Sequence, residues 1–380
     1  MKNIVILGAS GAGVSTAHRL LKQSAKAGVA IKVTLVSPNS HLYWNIATTR
    51  AIVPGAIEED KLFFSINDGF KQYTADKFEF ILATAEALDV EGKKVTVSGQ
   101  NGRTDLSYDY LVLATGSRTK EDTPFKGHGS HQATLDALHD YQNKVKSAGS
   151  ITVVGAGATG VETAGELGYA YGSSKKITLV CKPTISIISS HATVLDGTPA
   201  SVSKTATKQL QNLSVTIKTS TKVSGSAQTP DGRWELTLSD GSKMTTDLYI
   251  PTMGIVPNSS FVPEKYLNPA GFVIVDEFLR VKGTTDVYAA GDISAVERAQ
   301  YGHMDKQSAH VAKNLGLVLK GAEQVKYKPD PKDMLAVPVG KKVGTGHMGS
   351  IRLPSFLVNM VKGKTLFTDK VPGVITGSNF

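Results

Sequence analysis

The chain has 380 residues, a formal net charge of +9 and an apolar fraction of 41%, which is sufficient for two or three folded domains. No apolar run reaches the roughly 18 residues of a membrane-spanning helix, and the first residues carry neither a signal-peptide core nor the glycine that myristoylation requires. The single cysteine, Cys181, excludes an intramolecular disulfide and a dithiol relay, so we expect a protein that is not secreted.

The first predicted unit is a strand, a glycine-rich turn, a helix and a second strand. Ile4–Leu7 is a short apolar run, the segment from about Gly13 to Lys26 has helical spacing, and Lys32–Val36 predicts the next strand. This order indicates the βαβ unit of a doubly wound sheet, in which backbone N–H groups at the helix start bind a dinucleotide pyrophosphate. The turn residues are Gly8, Ser10, Gly11, Ala12 and Gly13.

Two positions of this unit depart from the usual pattern. Ser10 stands where a second glycine is common, and its small side chain still permits close approach of a phosphate. Ser37, followed by Pro38, stands where an Asp or Glu normally accepts hydrogen bonds from a ribose. We therefore expect the adenosine end of a ligand to be held more weakly there, or partly by other groups. A glycine-rich turn without a ligand is the alternative.

A second strand–turn–helix–strand unit begins near residue 150. Residues 151–154 predict a strand, residues 158–171 a helix, and Lys176–Cys181 the next strand. This turn keeps all three glycines of the dinucleotide fingerprint. Its residues are Gly155, Gly157, Ala158, Thr159 and Gly160. Two fingerprints in one chain predict two bound dinucleotides and electron transfer between them.

Two charged residues near the second turn each have two interpretations. Lys182 follows the strand at the position of the usual ribose-binding acid, where it either pairs with a 2′-phosphate and favours NADPH or is an exposed surface lysine. Glu162 lies just inside the helix, where it either favours the helix dipole from the first turn or contacts the nicotinamide or its ribose. We favour the nicotinamide contact for Glu162.

Strands also follow each of the two units. Between the units, residues 78–98 predict two strands with a turn at Glu91-Gly92, and Tyr110–Ala114 predicts a buried strand that ends at Thr115-Gly116. After the second unit, the pattern predicts strands at 215–218, 233–239, 243–250 and 286–290, and a helix at about 304–319.

Two features outside the turns are candidate ligand contacts. Asp292 follows a predicted strand, where it is either an ordinary turn residue or an acceptor for polyol hydroxyls. Tyr43-Trp44-Asn45 and Arg50 form an unusual cluster for a loop after a ribose-binding strand. This cluster is either a core aromatic contact with a surface arginine, or packing and charge around a bound cofactor or its substrate.

The last fifth of the chain is basic, with 12 Lys and Arg against 5 Asp and Glu from Tyr301 to Phe380. This excess is either a solvated surface or a surface attracted to anionic lipid or nucleic acid, and no nucleic-acid motif supports the latter. Within Ser355–Phe367 the helical spacing places four apolar residues on one face, close to two lysines. They are Phe356, Leu357, Met360 and Val361, with Lys362 and Lys364. The segment is either an interfacial membrane helix or a cover for the core or a dimer contact.

The order of these motifs resembles that of a known family. Ala114-Thr-Gly116 lies between the turns, Thr252-Met-Gly254-Ile-Val-Pro-Asn258 follows the second turn, and Val287-Tyr-Ala-Ala-Gly-Asp292 comes after it. This order resembles the two-dinucleotide flavoproteins of the pyridine nucleotide–disulfide reductase superfamily. Within it, the chain is similar to the apoptosis-inducing-factor-like, AMID-type group, which includes ferroptosis suppressor protein and fungal relatives. The stretch Leu42–Gly55 is especially similar to the fungal members.

The resemblance implies FAD in the first domain and NAD(P)H in the second, with hydride passing from NAD(P)H to the flavin and electrons then passing to an external acceptor. The implied FAD contacts are the first turn together with Ser37, Pro38, Arg50, Ala85, Ala114, Thr115, Gly116, Gly291 and Asp292. The implied NAD(P)H contacts are Gly155, Gly157, Ala158, Thr159, Gly160, Glu162, Lys182 and Gly254. Lys306 is the implied match of a lysine beside the flavin, and no metal site is expected.

The implied fold class is α/β, with two doubly wound Rossmann-type domains and a short C-terminal α+β domain. The implied FAD domain comprises residues 1–118 and 246–322, the inserted NAD(P)H domain residues 119–245, and the C-terminal domain residues 323–380. A quinone is the implied acceptor, and the implied location is the cytoplasm or an intracellular membrane surface, such as the mitochondrial outer face. Peripheral membrane contact and a homodimer are further expectations, and nucleic acid is not an expected partner.

Two alternatives remain open for the function. In the first, the flavoenzyme acts on a small secondary metabolite or on oxygen instead of a quinone. In the second, the protein is a redox-signalling, cell-death-type flavoprotein whose basic surface binds DNA or a protein partner.

Overall fold

The computed structural model describes residues 1–181, 193–329 and 334–380. Its strands in chain order are β1 (Lys2–Leu7), β2 (Ile31–Ser37), β3 (His41–Tyr43), β4 (Phe63–Ser65), β5 (Phe78–Asp89), β6 (Lys94–Gly99), β7 (Gly102–Ser107), β8 (Tyr110–Leu113), β9 (Ser117–Thr119), β10 (Ser150–Val154), β11 (Lys176–Val180), β12 (Thr216–Lys218), β13 (Val223–Gln228), β14 (Trp234–Leu238), β15 (Lys243–Thr246), β16 (Leu248–Pro251), β17 (Ile255–Pro257), β18 (Val287–Ala289), β19 (Met334–Val339), β20 (Val343–Met348) and β21 (Ile351–Arg352). Its α-helices are α1 (Gly11–Ala27), α2 (Thr48–Ala51), α3 (Ile66–Phe70), α4 (His131–Ser147), α5 (Ala158–Tyr171), α6 (Ala200–Asn212), α7 (Tyr301–Val318), α8 (Ser355–Val358) and α9 (Val371–Ile375).

The larger sheet has the strand order β18-β8-β1-β2-β5-β6-β7. The pairs from β18 to β5 are parallel, whereas β5, β6 and β7 form an antiparallel meander. Residues Ile4–Leu7 of β1 are all buried, as expected for a central parallel strand that is covered on both faces. Helix α1 packs against α7, and it ends where Gly28 adopts the left-handed conformation at φ +68°.

The second sheet contains four parallel strands in the order β12-β11-β10-β16. A separate antiparallel meander, β13-β14-β15, lies between β12 and β16 in the chain. Because β16 pairs with β10, the second sheet continues to Pro251, six residues beyond the domain boundary that we expected at 245. The two chain crossings between the sheets pair with each other, as β9 with β17.

The carboxyl-terminal residues form a small α+β unit against the second sheet's helices. Strands β19, β20 and β21 make an antiparallel sheet, and β19 packs on α5 while β20 packs on α6. Helix α8 continues directly into a π-helical turn, Asn359–Gly363. The side chain of Val358 contacts β20 where Gly344 leaves room for it, since a Cβ there would lie 2.6 Å from Val358 Cγ1.

The last residues of the chain connect this unit to α1 through hydrogen bonds and ring contacts. Lys22 donates hydrogen bonds to the carbonyl oxygens of Gly377 and Phe380, and the guanidinium of Arg19 lies 4.2 Å from the centroid of the Phe380 ring. His18, which is fully buried, contacts the carbonyl of Ile375 at 2.8 Å. The C-terminal segment therefore contacts both the first sheet's helix and the second sheet's helices.

The predicted fold class is confirmed, and the expected strands after both turns are present. The meander strand β7, the paired crossings β9 and β17 and the hairpin of β19 and β20 were not predicted, because each is short or lacks a regular apolar alternation. Among the described residues, no helix is long and apolar enough to cross a membrane.

Candidate functional site

The first glycine turn is built so that only glycine fits at two of its positions. Gly8 has φ +104°, and a Cβ there would lie 2.3 Å from the carbonyl oxygen of Ala114. A Cβ at Gly13 would lie 1.7 Å from the carbonyl oxygen of Gly8. Helix α1 can therefore start directly against the end of β1. Ser10 is exposed, and its side chain makes no cap hydrogen bond to the first turn of the helix.

The edge of the first sheet also carries Asp292, which follows β18. Ser117 Oγ donates a hydrogen bond of 2.9 Å to Asp292 Oδ2, and Lys126 Nζ lies 2.7 Å from the same oxygen. The neighbouring Gly291 has φ +80°, and a Cβ there would lie 3.2 Å from the Cβ of Ala12 in the first turn. The residue before Asp292 therefore lies beside the first turn, and the expected FAD contact of Asp292 stays a prediction.

The Ala114-Thr-Gly116 segment joins this edge to the crossing between the domains. Thr115 Oγ1 donates to the carbonyl oxygen of Asn258 at 2.7 Å, and Asn258 Nδ2 donates to the carbonyl oxygen of Thr115 at 2.9 Å. The N–H of Asn258 donates to the carbonyl oxygen of Gly116. Asn258, which ends the motif around Gly254, is therefore hydrogen-bonded directly to the segment that the resemblance implies lines the flavin.

The remaining implied adenosine contacts lie beyond the end of β2. Ser37 is buried, and its hydroxyl oxygen accepts a hydrogen bond of 3.1 Å from the N–H of Asn39. Pro38 is exposed. Ser37 pairs with Leu82 of β5, so Ala85 lies three residues further along the same strand, at a break in the β5–β6 register. The implied adenosine contacts thus occupy the same sheet edge.

The second turn repeats the geometry of the first. Gly155 has φ +112°, and a Cβ at Gly160 would lie 1.7 Å from the carbonyl oxygen of Gly155. Thr252 Oγ1 donates to the carbonyl oxygens of Val154 and Gly155 at 3.0 and 2.9 Å, which brings the Gly254 segment to this turn. A Cβ at Gly157 would meet no atom of the described residues within 4 Å, so these residues leave space there for a ligand. Lys182 lies outside the described residues.

Glu162 is paired with Lys362, which the sequence analysis placed beside a candidate membrane face and did not connect to Glu162. Lys362 Nζ lies 2.5 Å from Glu162 Oε1, and Thr49 Oγ1 donates a hydrogen bond of 3.4 Å to Oε2. Helix α5 begins at Ala158, so Glu162 lies in the second turn, and the expected first-turn position at the helix dipole is wrong. Burial raises the pKa of the Glu162 carboxyl, and the charge of Lys362 opposes that shift.

Arg50 forms a second buried ion pair, one helical turn further along α5. Its Nη2 atom lies 2.8 Å from Glu166 Oε1, with 3% of each side chain exposed. The same guanidinium donates to the carbonyl oxygens of Gly363 and Lys364 at 2.7 and 3.2 Å. Arg50 was expected at the FAD phosphates. In the structure its Nη atoms contact Glu166 and the carbonyl oxygens of the C-terminal segment, so the FAD contact of Arg50 stays a prediction.

The aromatic cluster before Arg50 is part of the core. Trp44 is 3% exposed, and its Nε1 donates to the carbonyl oxygen of Leu366 at 2.9 Å. Tyr43 donates to the carbonyl oxygen of Pro124, and Asn45 to that of Phe125. These hydrogen bonds hold Pro124 and Phe125, the two residues immediately before Lys126. The cluster therefore helps to position the Lys126 side chain, which contacts Asp292.

Lys306 was expected beside the flavin, but the structure does not bring it to Asp292. Its Nζ lies 5.3 Å from the centroid of the Tyr327 ring, because residue 306 faces a different side of α7 from its neighbour Gln307. Gln307 Oε1 accepts a hydrogen bond of 2.8 Å from the N–H of Gly291. Sequence reasoning missed Gln307 and Lys126, which no local pattern marks, and it considered Lys362 only as part of a candidate membrane-facing segment.

The two turns fit the phosphates of two dinucleotides. Both α1 and α5 begin without a side-chain cap and without an acidic residue in the first turn, so their first N–H groups are available to an anion. The exposed Ser10 and the open space at Gly157 leave room for a phosphate at each turn. Among the residues that the structure describes, no cluster of His, Cys, Asp and Glu is suited to a metal ion.

Comparison with known proteins agrees with this geometry. The family model "Pyridine nucleotide-disulphide oxidoreductase" matches residues 2–316. The chain is 52% identical over 379 residues to Oxidoreductase ptaL of Pestalotiopsis fici, with 100% of both chains covered. It is 27% identical over 374 residues to Ferroptosis suppressor protein 1 of Homo sapiens, with 96% of this chain and 93% of the relative covered. The sulfide:quinone oxidoreductase of Aquifex aeolicus shares the fold, with a TM-score of 0.78, 15% identity, and coverage of 99% of this chain and 92% of that one.

The match spans both glycine turns, the segment between them and Asp292. It confirms the expected resemblance, including the apoptosis-inducing-factor-like group, and the expected pair of cofactors, FAD and NAD(P)H. The chain belongs to the pyridine nucleotide–disulphide oxidoreductase family, as an apoptosis-inducing-factor-like flavoprotein that catalyses NAD(P)H-dependent oxidoreduction.

Proposed function

We propose that this oxidoreductase passes electrons from NAD(P)H through its flavin to a quinone, with the balance NAD(P)H + H⁺ + quinone → NAD(P)⁺ + quinol. The observation that carries the proposal is the state of Cys181. It is the only cysteine in the chain, it is 1% exposed, and burial raises the pKa of its thiol to about 12. A buried, protonated and single thiol cannot relay electrons, so the acceptor must take them directly from the flavin.

The chain's own residues bind and orient the two nucleotides. When bound, FAD supplies the chemistry of accepting a hydride and giving up electrons. The first turn is positioned for the FAD pyrophosphate, and the carboxylate of Asp292 for a hydroxyl of its polyol chain. The second turn is positioned for the pyrophosphate of NAD(P)H. Glu162, on the same helix, is positioned for the nicotinamide end, where an ionised carboxylate accepts hydrogen bonds from a carboxamide or a ribose.

The acceptor is tested with the purified holoenzyme. NADH and NADPH are supplied in turn with a short-chain ubiquinone, a naphthoquinone or air-saturated buffer alone, and nucleotide oxidation is followed by absorbance. We expect oxidation with at least one quinone well above the rate with oxygen alone. Oxidation that no quinone accelerates would contradict the proposal and would favour oxygen or a small metabolite as the acceptor.

We further propose that the C-terminal unit rests on an anionic membrane surface, where an apolar quinone is dissolved. Six of the twelve exposed large apolar side chains of the described residues lie between Met334 and Val361. Phe356 and Met360, one helical turn apart, are 73% and 66% exposed, whereas Leu357 is half-buried. Residues 334–380 carry six Lys and Arg and one acid. Exposed apolar side chains in a segment with an excess of cations match an anionic bilayer surface.

Vesicle co-sedimentation tests this contact. We expect binding to vesicles of phosphatidylcholine with phosphatidylserine, weaker binding to phosphatidylcholine alone, and loss of binding in Phe356→Ser/Met360→Ser. The matched control, Leu82→Ser/Ile274→Ser, removes two exposed apolar side chains elsewhere and should bind as the wild type does. Unchanged vesicle binding in Phe356→Ser/Met360→Ser would overturn the membrane proposal. So would a wild type that binds no vesicles but forms a dimer that this variant dissociates.

A further inference from the structure

The peptide of Gly291, directly before Asp292, is held on both sides. Its N–H donates a hydrogen bond of 2.8 Å to Gln307 Oε1. Its carbonyl oxygen accepts hydrogen bonds of 3.1 and 3.2 Å from the N–H and the Oγ of Ser294. Gly291 is buried, and a buried N–H without a partner is strongly unfavourable. Gln307 is therefore the side chain on which the placement of this peptide depends.

Glu297 fixes the orientation of the Gln307 amide. Gln307 Nε2 donates a hydrogen bond of 3.1 Å to Glu297 Oε2. A carboxylate offers only acceptors, whereas a side-chain amide has a donor end and an acceptor end. The amide nitrogen of Gln307 must therefore face Glu297, which leaves its oxygen for the N–H of Gly291. The reversed amide would set a donor against that N–H.

Glu297 is itself held in place by the chain that follows α7. The hydroxyl of Tyr327 donates a hydrogen bond of 2.5 Å to Glu297 Oε2, and His303 Nε2 lies 3.9 Å from Oε1. Gln307 is 2% exposed and the Glu297 side chain 7%, so water competes little for these hydrogen bonds. Tyr327 lies between α7 and β19. The hydrogen bonds thus connect Gly291 to the segment that leads into the C-terminal unit.

We propose that Gln307, oriented by Glu297, is a positioning residue for FAD, which fixes the Gly291 peptide so that Asp292 presents its carboxylate to the polyol chain. Lys126 holds the side chain of Asp292, whereas Gln307 holds the backbone from which that side chain extends. A loop that is ordered before binding loses less conformational entropy when the ligand binds, so this hold contributes to FAD affinity. The effect on FAD rests on the proposed contact of Asp292.

The first test measures the FAD dissociation constant of apoprotein variants from the quenching of flavin fluorescence. Gln307→Leu removes the acceptor for the Gly291 N–H, and we expect it to bind FAD about tenfold more weakly. Asn314→Leu is the matched control, because Asn314 is a buried amide of the same helix that bonds Phe278 and Val325 instead. It should bind FAD as the wild type does, even where its thermal midpoint falls.

Substitutions at Glu297 separate the orientation of the amide from the charge. Glu297→Gln keeps an oxygen that accepts from Gln307 Nε2, and it should bind FAD within about twofold of the wild type. Glu297→Leu lacks that oxygen and should bind FAD about as weakly as Gln307→Leu. If Glu297→Gln were as weak as Glu297→Leu, the charge and not the orientation would matter, and the proposal would be overturned.

A second readout uses the protein without FAD. Hydrogen–deuterium exchange in peptides that contain Gly291 reports the opening of its hydrogen bond, and we expect exchange about tenfold faster in Gln307→Leu than in Asn314→Leu or the wild type. Wild-type exchange in Gln307→Leu, or FAD affinity no weaker than that of Asn314→Leu, would overturn the proposal. Wild-type FAD affinity in Asp292→Ala would overturn the proposed contact of Asp292 with FAD, and the exchange rates would still decide whether Gln307 holds Gly291.

Discussion

Lys126 Nζ lies 2.7 Å from Asp292 Oδ2, with 24% and 15% of the two side chains exposed. Ser117 Oγ donates to the same carboxylate oxygen at 2.9 Å. The acid that the family pattern assigns to the polyol chain of FAD is therefore accompanied by a cation from the crossing between the two domains. This positive charge lies at the sheet edge where we propose that the negatively charged pyrophosphate of FAD binds.

Replacing Lys126 with methionine should weaken FAD binding by about tenfold or more, because a charge-assisted hydrogen bond contributes roughly 1.5–3 kcal/mol. The measurement is the FAD dissociation constant from quenching of flavin fluorescence in apoprotein. Lys71→Met, at an exposed lysine of the FAD domain, is the matched control. FAD affinity equal to that of the wild type would show that Lys126 serves only to pair with Asp292.

Gly157→Ala should weaken binding of NAD(P)H without changing the stability of the fold. Within the part of the chain that the structure describes, a Cβ there meets no atom within 4 Å, so the thermal midpoint should remain close to that of the wild type. The added methyl occupies the space through which a pyrophosphate approaches the helix start, so the KM for NAD(P)H should rise about tenfold with FAD content unchanged. Gly225→Ala, at an exposed strand position, should leave both quantities unchanged. An unaffected KM in Gly157→Ala would place the nucleotide elsewhere.

The two glycine turns could be predicted because residues close to them in the sequence determine their geometry. A strand, a turn and a helix within about 30 residues dictate where these glycines must lie. The structure places Gly8 and Gly155 directly after β1 and β10, and Gly13 and Gly160 in the first turns of α1 and α5. Glycine is required at these positions because a Cβ would collide with backbone or side-chain atoms in or beside the turn, a steric constraint that the local sequence order already implies.

The partners of the charged residues could not be predicted, because they come from distant parts of the chain. Lys126 and Asp292 are 166 residues apart, and Lys362 and Glu162 are 200 apart. No periodicity connects such positions, and only the packing of the C-terminal unit on α5 brings the second pair together. The same packing buries Arg50, for which the sequence left a surface position and a cofactor contact as alternatives.

Cys181→Ala should retain the rate at which NAD(P)H bleaches the flavin. Its thiol is buried with a pKa raised to about 12, so it is protonated near neutral pH and takes no part in electron transfer. The same burial predicts that iodoacetamide does not modify the native protein but modifies it after unfolding in urea. Rapid alkylation of the native protein, or a bleaching rate that falls in the variant at equal FAD content, would contradict the direct transfer to an external acceptor.

His18 makes stability depend on pH. Burial lowers the pKa of its ring from 6.5 to about 4, since the ring is stacked on Phe70 and bonded to Tyr73 and Ile375. A lowered folded-state pKa means that the unfolded chain takes up the proton first. The stabilisation is complete above about pH 6.5, and roughly 3 kcal/mol of it is lost as the pH falls to about 4.

His18→Gln should therefore flatten the thermal midpoint between those pH values, while its midpoint at neutral pH falls because the ring stacking is lost. His139→Gln, at an exposed histidine beside Glu59, should keep the wild-type slope. A His18→Gln profile parallel to that of the wild type would show that other groups cause the acid sensitivity.

The Arg50–Glu166 pair offers a double-mutant cycle that also decides the role of Arg50. Arg50→Met leaves the Glu166 carboxylate buried and unpaired, which should cost about 3–5 kcal/mol of unfolding free energy. Arg50→Met/Glu166→Leu removes both charges and should recover much of that loss, less the cost of the unbonded carbonyls of Gly363 and Lys364. Lys144→Met, in an exposed pair with Asp140, should change stability little. If Arg50 instead holds the FAD phosphates, the double variant will lose FAD as completely as the single one; if the pair is structural, FAD binding will return together with stability.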